Sequence, residues 1–155
     1  MTTHGKMAAV RLSELEMIEA WVEGSPTMRA RFDFPLTAAT GCASSSVIYY
    51  EVDPGNRTPS HVHSAEEIQM IVEGTADVEV GDEVARFSAE ALAVVPALVP
   101  HALANVGETV LRVVGFFSSA AAIHTYEDTI MPLGTNVLVT PPPELMGSAL
   151  TAGMP

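Results

Sequence analysis

One cysteine, seven basic residues and no apolar run of membrane-spanning length set the first limits on this chain. With Cys42 alone, no intramolecular disulfide can form, so the fold must be held by its own core. Nineteen acidic residues against seven basic ones give a formal charge of −12, a field that repels phosphate backbones and anionic lipid surfaces and argues against nucleic acid or membrane as partners. The longest apolar stretches, 91–99 and 110–117, are far too short for a transmembrane helix and have strand-like composition. The chain opens Met-Thr-Thr-His-Gly-Lys-Met, without an apolar segment of signal-peptide length, so a soluble protein of the reducing cytoplasm is expected.

What the chain does contain suits a compact β-rich globule. At 155 residues it is read as a single domain, 1–155, with 48% apolar residues and 11 each of glycine and proline. Leu12, Leu15, Met17, Ile18, Trp21 and Val22, set among glutamates, predict a short amphipathic helix stopped by Gly24, Ser25 and Pro26. Alternation over Met28–Phe34 predicts an edge strand, and Ser46–Val52 a more buried one. Residues 76–80 and 84–87 flank Gly81, Asp82 and Glu83 as a hairpin. Further strands follow at 92–95, 101–106 and 109–117, about eight in all, at the spacing of a sandwich or closed barrel. The motif core thus runs over about 46–117, between an N-terminal extension, 1–45, and an irregular C-terminal tail, 118–155, that packs over a barrel mouth or a neighbouring subunit and frays from about Gly147.

The chemistry sits between Gly55 and Gly74 and again near His101. His61 and His63 are separated by one residue, which places both imidazoles on one face of an extended strand. Glu67 opens the next run, where Glu67, Gln69 and Ile71 share a face opposite Ile68, Met70 and Val72. A shared metal ion accounts for imidazoles and a carboxylate pointing into an otherwise apolar interior. The neighbouring Glu66 falls on the opposite parity and is assigned to solvent.

These residues resemble the first and second motifs of the cupin superfamily. Gly55, His61, His63, Glu67 and Gly74 fill the fixed positions of the first motif, and Pro96, His101 and Asn105 those of the second. Glu90 and Leu98 stand where the family usually has glycine, and Pro100 restrains the loop before His101. The resemblance implies an all-β, conical double-stranded β-helix of two antiparallel sheets. It also implies one divalent transition metal per chain, Fe, Mn, Ni, Cu or Zn, held by His61, His63, Glu67 and His101, and a homodimer. The edge strand expected at 28–34 offers a physical reason to pair.

The interior is expected to be lined by Ile71, Leu103 and Val113, leaving a mostly apolar cavity for a small organic molecule with chelating oxygens. Gln69 is a candidate substrate contact by its parity with Glu67, or else a partner of the metal ligands. Phe116 and Phe117 straddle the two faces of the last barrel strand, so one of them, read here as Phe116, lines the pocket unless both serve the core. His124 lies outside both motifs and is placed at the surface or an interface unless the tail folds back over the barrel. The expected activity is a metal-dependent dioxygenase resembling the quercetinase-like and diketone-cleaving cupins, with Glu67 able to act as base. Two alternatives stand beside it: a non-redox isomerase, decarboxylase or lyase, and a non-catalytic metal-stabilised binding module.

Overall fold

The computed structural model describes residues 5–142. Among the described residues, twelve strands are arranged in two six-stranded antiparallel sheets. In chain order they are β1 (Ile18–Val22), β2 (Ser25–Leu36), β3 (Ser46–Val52), β4 (His61–His63), β5 (Glu67–Glu73), β6 (Thr75–Val80), β7 (Glu83–Ser88), β8 (Leu92–Val95), β9 (His101–Asn105), β10 (Leu111–Phe117), β11 (Ala122–Ile130) and β12 (Thr135–Thr140). One sheet runs β1-β2-β3-β10-β5-β8 and the other β12-β11-β4-β9-β6-β7. This is the expected all-β cupin-type barrel. Among the described residues no helix is long and apolar enough to cross a membrane.

Period-two alternation decides which residues face the space between the sheets. Ile71 on β5, Leu103 on β9 and Val113 on β10 are all buried there, as expected, together with Val52, Val78 and Leu111. The hairpin forms as read, with Val80 paired to Glu83 across a Gly81–Asp82 turn. Asn105 closes the second motif structurally. Its Nδ2 donates to the carbonyls of Val52 and Thr109 at 2.8 Å each, and its Oδ1 accepts from Gly107 N at 2.9 Å, which ties the loop after β9 to β3.

Three expectations are corrected. The helix over 12–22 is absent: a single 3-10 turn occupies Leu12–Glu14, residues 15–17 are irregular, and Ile18–Val22 form β1. Ala20 and Val22 are buried two residues apart, and Val22 pairs with Ser25, so Glu23 and Gly24 make a hairpin turn rather than a helix stop. Residues 28–34 are not an edge, because β2 lies between β1 and β3; the sheet edges are β1, β8, β12 and β7. The tail is not irregular over its described part. β11 docks onto β4 and pairs with β12, while Trp21 and Met131 exchange backbone hydrogen bonds of 2.9 and 2.8 Å that join β1 to the end of β11. The expected fraying from Gly147 lies outside the described residues.

Candidate metal centre

Three strands bring the donor groups together. β4 places His61 and His63 on its inner face, β9 sets His101 directly opposite His61, and β5 delivers Glu67 from the facing sheet. The ligand atoms of the three histidines lie within 4.8 Å of one another, and His101 Nε2 is 2.9 Å from His63 Nε2. Glu67 Oε1 is 3.6 Å from His63 Nε2 and 3.8 Å from His101 Nε2. Two donors at right angles on an ion about 2.1 Å away are separated by roughly 3 Å, so these spacings fit a shared cation after only slight adjustment. Glu66, by contrast, is exposed, as its parity required.

The backbone prepares the imidazoles for that role. The Nδ1 atoms of His61 and His101 lie 2.8 and 3.0 Å from the carbonyls of Pro59 and Val99. A carbonyl can only accept, so each Nδ1 carries the proton and each Nε2 keeps its lone pair for a metal. Burial disfavours the imidazolium, and neighbouring histidines add repulsion. His61 is therefore held well below its ordinary pKa, and His101 is lowered from 6.5 to about 4. The His61 and His101 rings are thus neutral at neutral pH, as metal ligands must be.

Glu67 is 1% exposed and accepts a 2.6 Å hydrogen bond from Gln69 Nε2. Gln69 Oε1 has no hydrogen-bond partner among the described residues, although the side chain is buried. Gln69 thus joins the site, both as the group that orients the carboxylate and as an open acceptor. Gly115, on β10 opposite Gln69, was not foreseen. A Cβ there would overlap Glu67 Oε2 and come within 2.7 Å of Ile48 Cγ2, so the carboxylate can occupy its place only against a glycine.

A cavity of about 610 Å³, counting the part open to solvent, leads from His61, His63 and Glu67 outward between the sheets. Its wall includes Trp21, Phe32, Ile48, Tyr50, Tyr126 and Ile130. Burial first, and then the charge of Glu67, pushes the phenols of Tyr50 and Tyr126 upward, so both remain protonated donors. Phe116 does not line this cavity. It is 43% exposed on the outer face of β10, whereas Phe117 turns inward with its ring edge-on to His63 at 4.9 Å between centroids.

β11 supplies what sequence reasoning missed. Its register sets His124 opposite His63 and Tyr126 opposite His61. Tyr126 stacks on His61 at 4.9 Å and 25°, and His124 is fully buried, with Nδ1 2.7 Å from His63 Nδ1. The tail folds back over the barrel, the exception allowed for His124, so this residue lies in the interior and not at the surface or an interface. The signal was the His124-Thr125-Tyr126 alternation, which repeats the spacing of His61-Val62-His63.

Comparison with known proteins places these features in a family. Residues 48–117 match the family described as Cupin domain. No curated protein matches the chain. Among solved structures, oxalate decarboxylase from Lactobacillus farciminis, in a formate complex, aligns with a TM-score of 0.60 at 21% identity over 63% of this chain and 31% of its own. The polyketide cyclase RemF from Streptomyces resistomycificus aligns at 0.59 and 16% identity, over 72% and 79% of the two chains. Oxalate decarboxylase from Bacillus subtilis, described with Mn(II) centres, aligns at 0.57 and 17% identity, over 69% of this chain and 30% of its own. The chain thus spans about a third of the length of either decarboxylase. With the motif residues on the inner faces of a two-sheet barrel and the family match covering residues 48–117, that part of the chain is a cupin domain.

Proposed function

We propose that this protein is a metal-dependent enzyme acting on a small, largely apolar organic molecule that binds through chelating oxygens. The observation that carries the reading is the convergence of His61, His63, Glu67 and His101 at the inner end of an apolar cavity. A divalent Fe, Mn, Ni, Cu or Zn ion held there would supply Lewis acidity toward an enolate or catecholate oxygen and lower its pKa. The chain's own groups do the rest. Gln69 holds Glu67 in place, Tyr50 and Tyr126 offer donors to a substrate oxygen, and Gln69 Oε1 offers an acceptor. Phe32, Ile48 and Ile130 exclude water and favour an apolar body. Glu67 is the candidate base, since it touches both the donor cluster and the cavity.

Within this reading the specific activity is a dioxygenase of the diketone-cleaving or quercetinase-like type. Oxygen uptake by Fe(II)-, Ni(II)- and Mn(II)-loaded protein across diketones, flavonols and dihydroxyaromatics tests it. Uptake with at least one pairing is the expected result, and no uptake with any moves the assignment to non-redox chemistry. That second reading draws support from the folds of a decarboxylase and a cyclase among the similar structures. Turnover of the same panel under anaerobic conditions would identify it. A homodimer in solution completes the proposal.

A further inference from the structure

His124 is the buried histidine that the metal site does not use. It is 0% exposed, and its ring packs against Phe34 and Phe117 at 5.1 and 5.4 Å. Its Nδ1 lies 2.7 Å from His63 Nδ1, and its Nε2 lies 2.7 Å from Thr140 Oγ1 on β12. Enclosed by these rings, with a second imidazole and a hydroxyl as its polar contacts and no carboxylate among them, the ring is taken as neutral, with one proton. A neutral imidazole can satisfy both contacts in only two ways, with the proton on Nδ1 or on Nε2.

The neighbouring bonds choose between them. His101 spends its Nδ1 proton on Val99, so its Nε2 is an acceptor, and the 2.9 Å contact with His63 Nε2 requires the proton on the His63 side. His63 Nδ1 is then an acceptor. It takes a bond from His124 Nδ1–H, and His124 Nε2 accepts from the Thr140 hydroxyl. A cation at His63 Nε2 needs a lone pair there, which moves the His63 proton to Nδ1. His124 Nδ1 must then accept, and His124 Nε2–H donates to Thr140 Oγ1.

We propose that His124 and Thr140 are positioning residues, a hydrogen-bond relay that holds His63 by its Nδ1 and reverses direction when a metal binds. Each imidazole holds one proton in both states, and the Thr140 hydroxyl turns from donor to acceptor, so the relay neither gains nor loses a proton. The inference rests on the metal-centre reading and adds two residues from the C-terminal hairpin to it. A neutral acceptor behind His63, where a carboxylate would add charge, orients the ring without adding to the negative charge of Glu67.

The test is histidine tautomer assignment by 15N NMR on the full chain, metal-free and loaded with Zn(II), which is diamagnetic. His124 is expected as the Nδ1–H tautomer without metal and as the Nε2–H tautomer with it. In competition titrations, His124→Phe keeps the ring volume and removes the acceptor. It is expected to weaken Zn(II) binding about 10- to 100-fold, and Thr140→Val to weaken it less. His124→Asn, whose Oδ1 can accept from His63 Nδ1–H, should recover most of the loss. One unchanged His124 tautomer in both states, or Zn(II) binding by both the His124→Phe and the Thr140→Val proteins within twofold of the parent, would overturn the relay. A parent chain that takes up no Zn(II) overturns the metal centre itself, and the reversal with it. Uptake data separate that failure from a relay that stays fixed in a loaded protein.

Discussion

Gly115 lacks a side chain because Glu67 occupies the space a Cβ would need, with Ile48 Cγ2 closing the other side. Gly115→Ala should therefore push the carboxylate away from His63 and His101. The expected result is metal affinity at least about tenfold lower and a melting temperature reduced by overpacking of about 1–3 kcal/mol. Isothermal titration and thermal unfolding read the two effects, and unchanged affinity would count against Glu67 as a ligand. Glu90 and Leu98 stand at φ +74° and +64°, so the turns keep the left-handed backbone usual for glycine while carrying side chains. Leu98 is 69% exposed, and its N–H donates to His63 O at 2.8 Å, so the strained turn also tethers β4. Leu98→Gly should remove a left-handed penalty of about 1–2 kcal/mol, partly offset by about 0.5–1 kcal/mol of chain entropy. A small rise in denaturant midpoint with metal affinity intact is expected, and a clear drop in stability would refute it.

β4 has three residues, and its position is set by its neighbours β9 and β11 rather than by its own length. His101, His63 and His124 thus come from three adjacent strands, and this row gives the element a pH signature. In the metal-free chain His101 and His124 titrate at about 4 and about 3, against 6.5 when unfolded, and His61 is lowered as well. Below pH 6.5 the unfolded state binds protons that the folded state refuses, so their stability is complete above pH 6.5 and falls as the pH drops toward 4. Asp53 and Asp77, held below 3.8 by Arg31 and Arg86, give up theirs only further down. Denaturant unfolding of metal-free protein between pH 7.5 and 4.5 should show a loss on the order of 1.4 kcal/mol per pH unit for each histidine fully engaged. A flat profile would contradict it. The same strands explain what could be read in advance. Period-two spacing put His61, His63, Glu67 and Gln69 on inward faces without any tertiary knowledge. His124 obeys the same rule, but whether its strand would dock on β4 depends on a pairing that no local pattern encodes. The β1 segment was misread because Leu12, Leu15, Ile18 and Val22 also satisfy a helical period, and only pairing with β2 decides between the two.

At the scale of the whole molecule, an apolar row lies on the outside of the barrel among the described residues. Phe116, Ile68 and Val94 are cross-strand neighbours on β10, β5 and β8, and they are 43%, 44% and 55% exposed. Leu92, also exposed, extends the row along β8, which is a sheet edge. Water contact with such a row is unfavourable by about 25 cal/mol per Å², and a second copy of the same face would cover it by symmetry. Residues 28–34, interior to their sheet, offer no such edge, so the outer row is the surface left to pair. In such a dimer Phe116 would serve the outer face, where the structure places it, and not the pocket. A net charge of −12 on each copy opposes association through a field that salt screens within about 10 Å at 0.1 M. The two terms together predict a homodimer that tightens as salt rises, the reverse of an interface held by ion pairs. Sedimentation at 10 mM and 300 mM NaCl should show the dimer fraction increasing. Ile68→Asp combined with Val94→Asp should give a monomer at both, while metal affinity stays within twofold because neither side chain faces the centre. A monomeric parent at high salt would leave the outer row unexplained and remove self-association from the account.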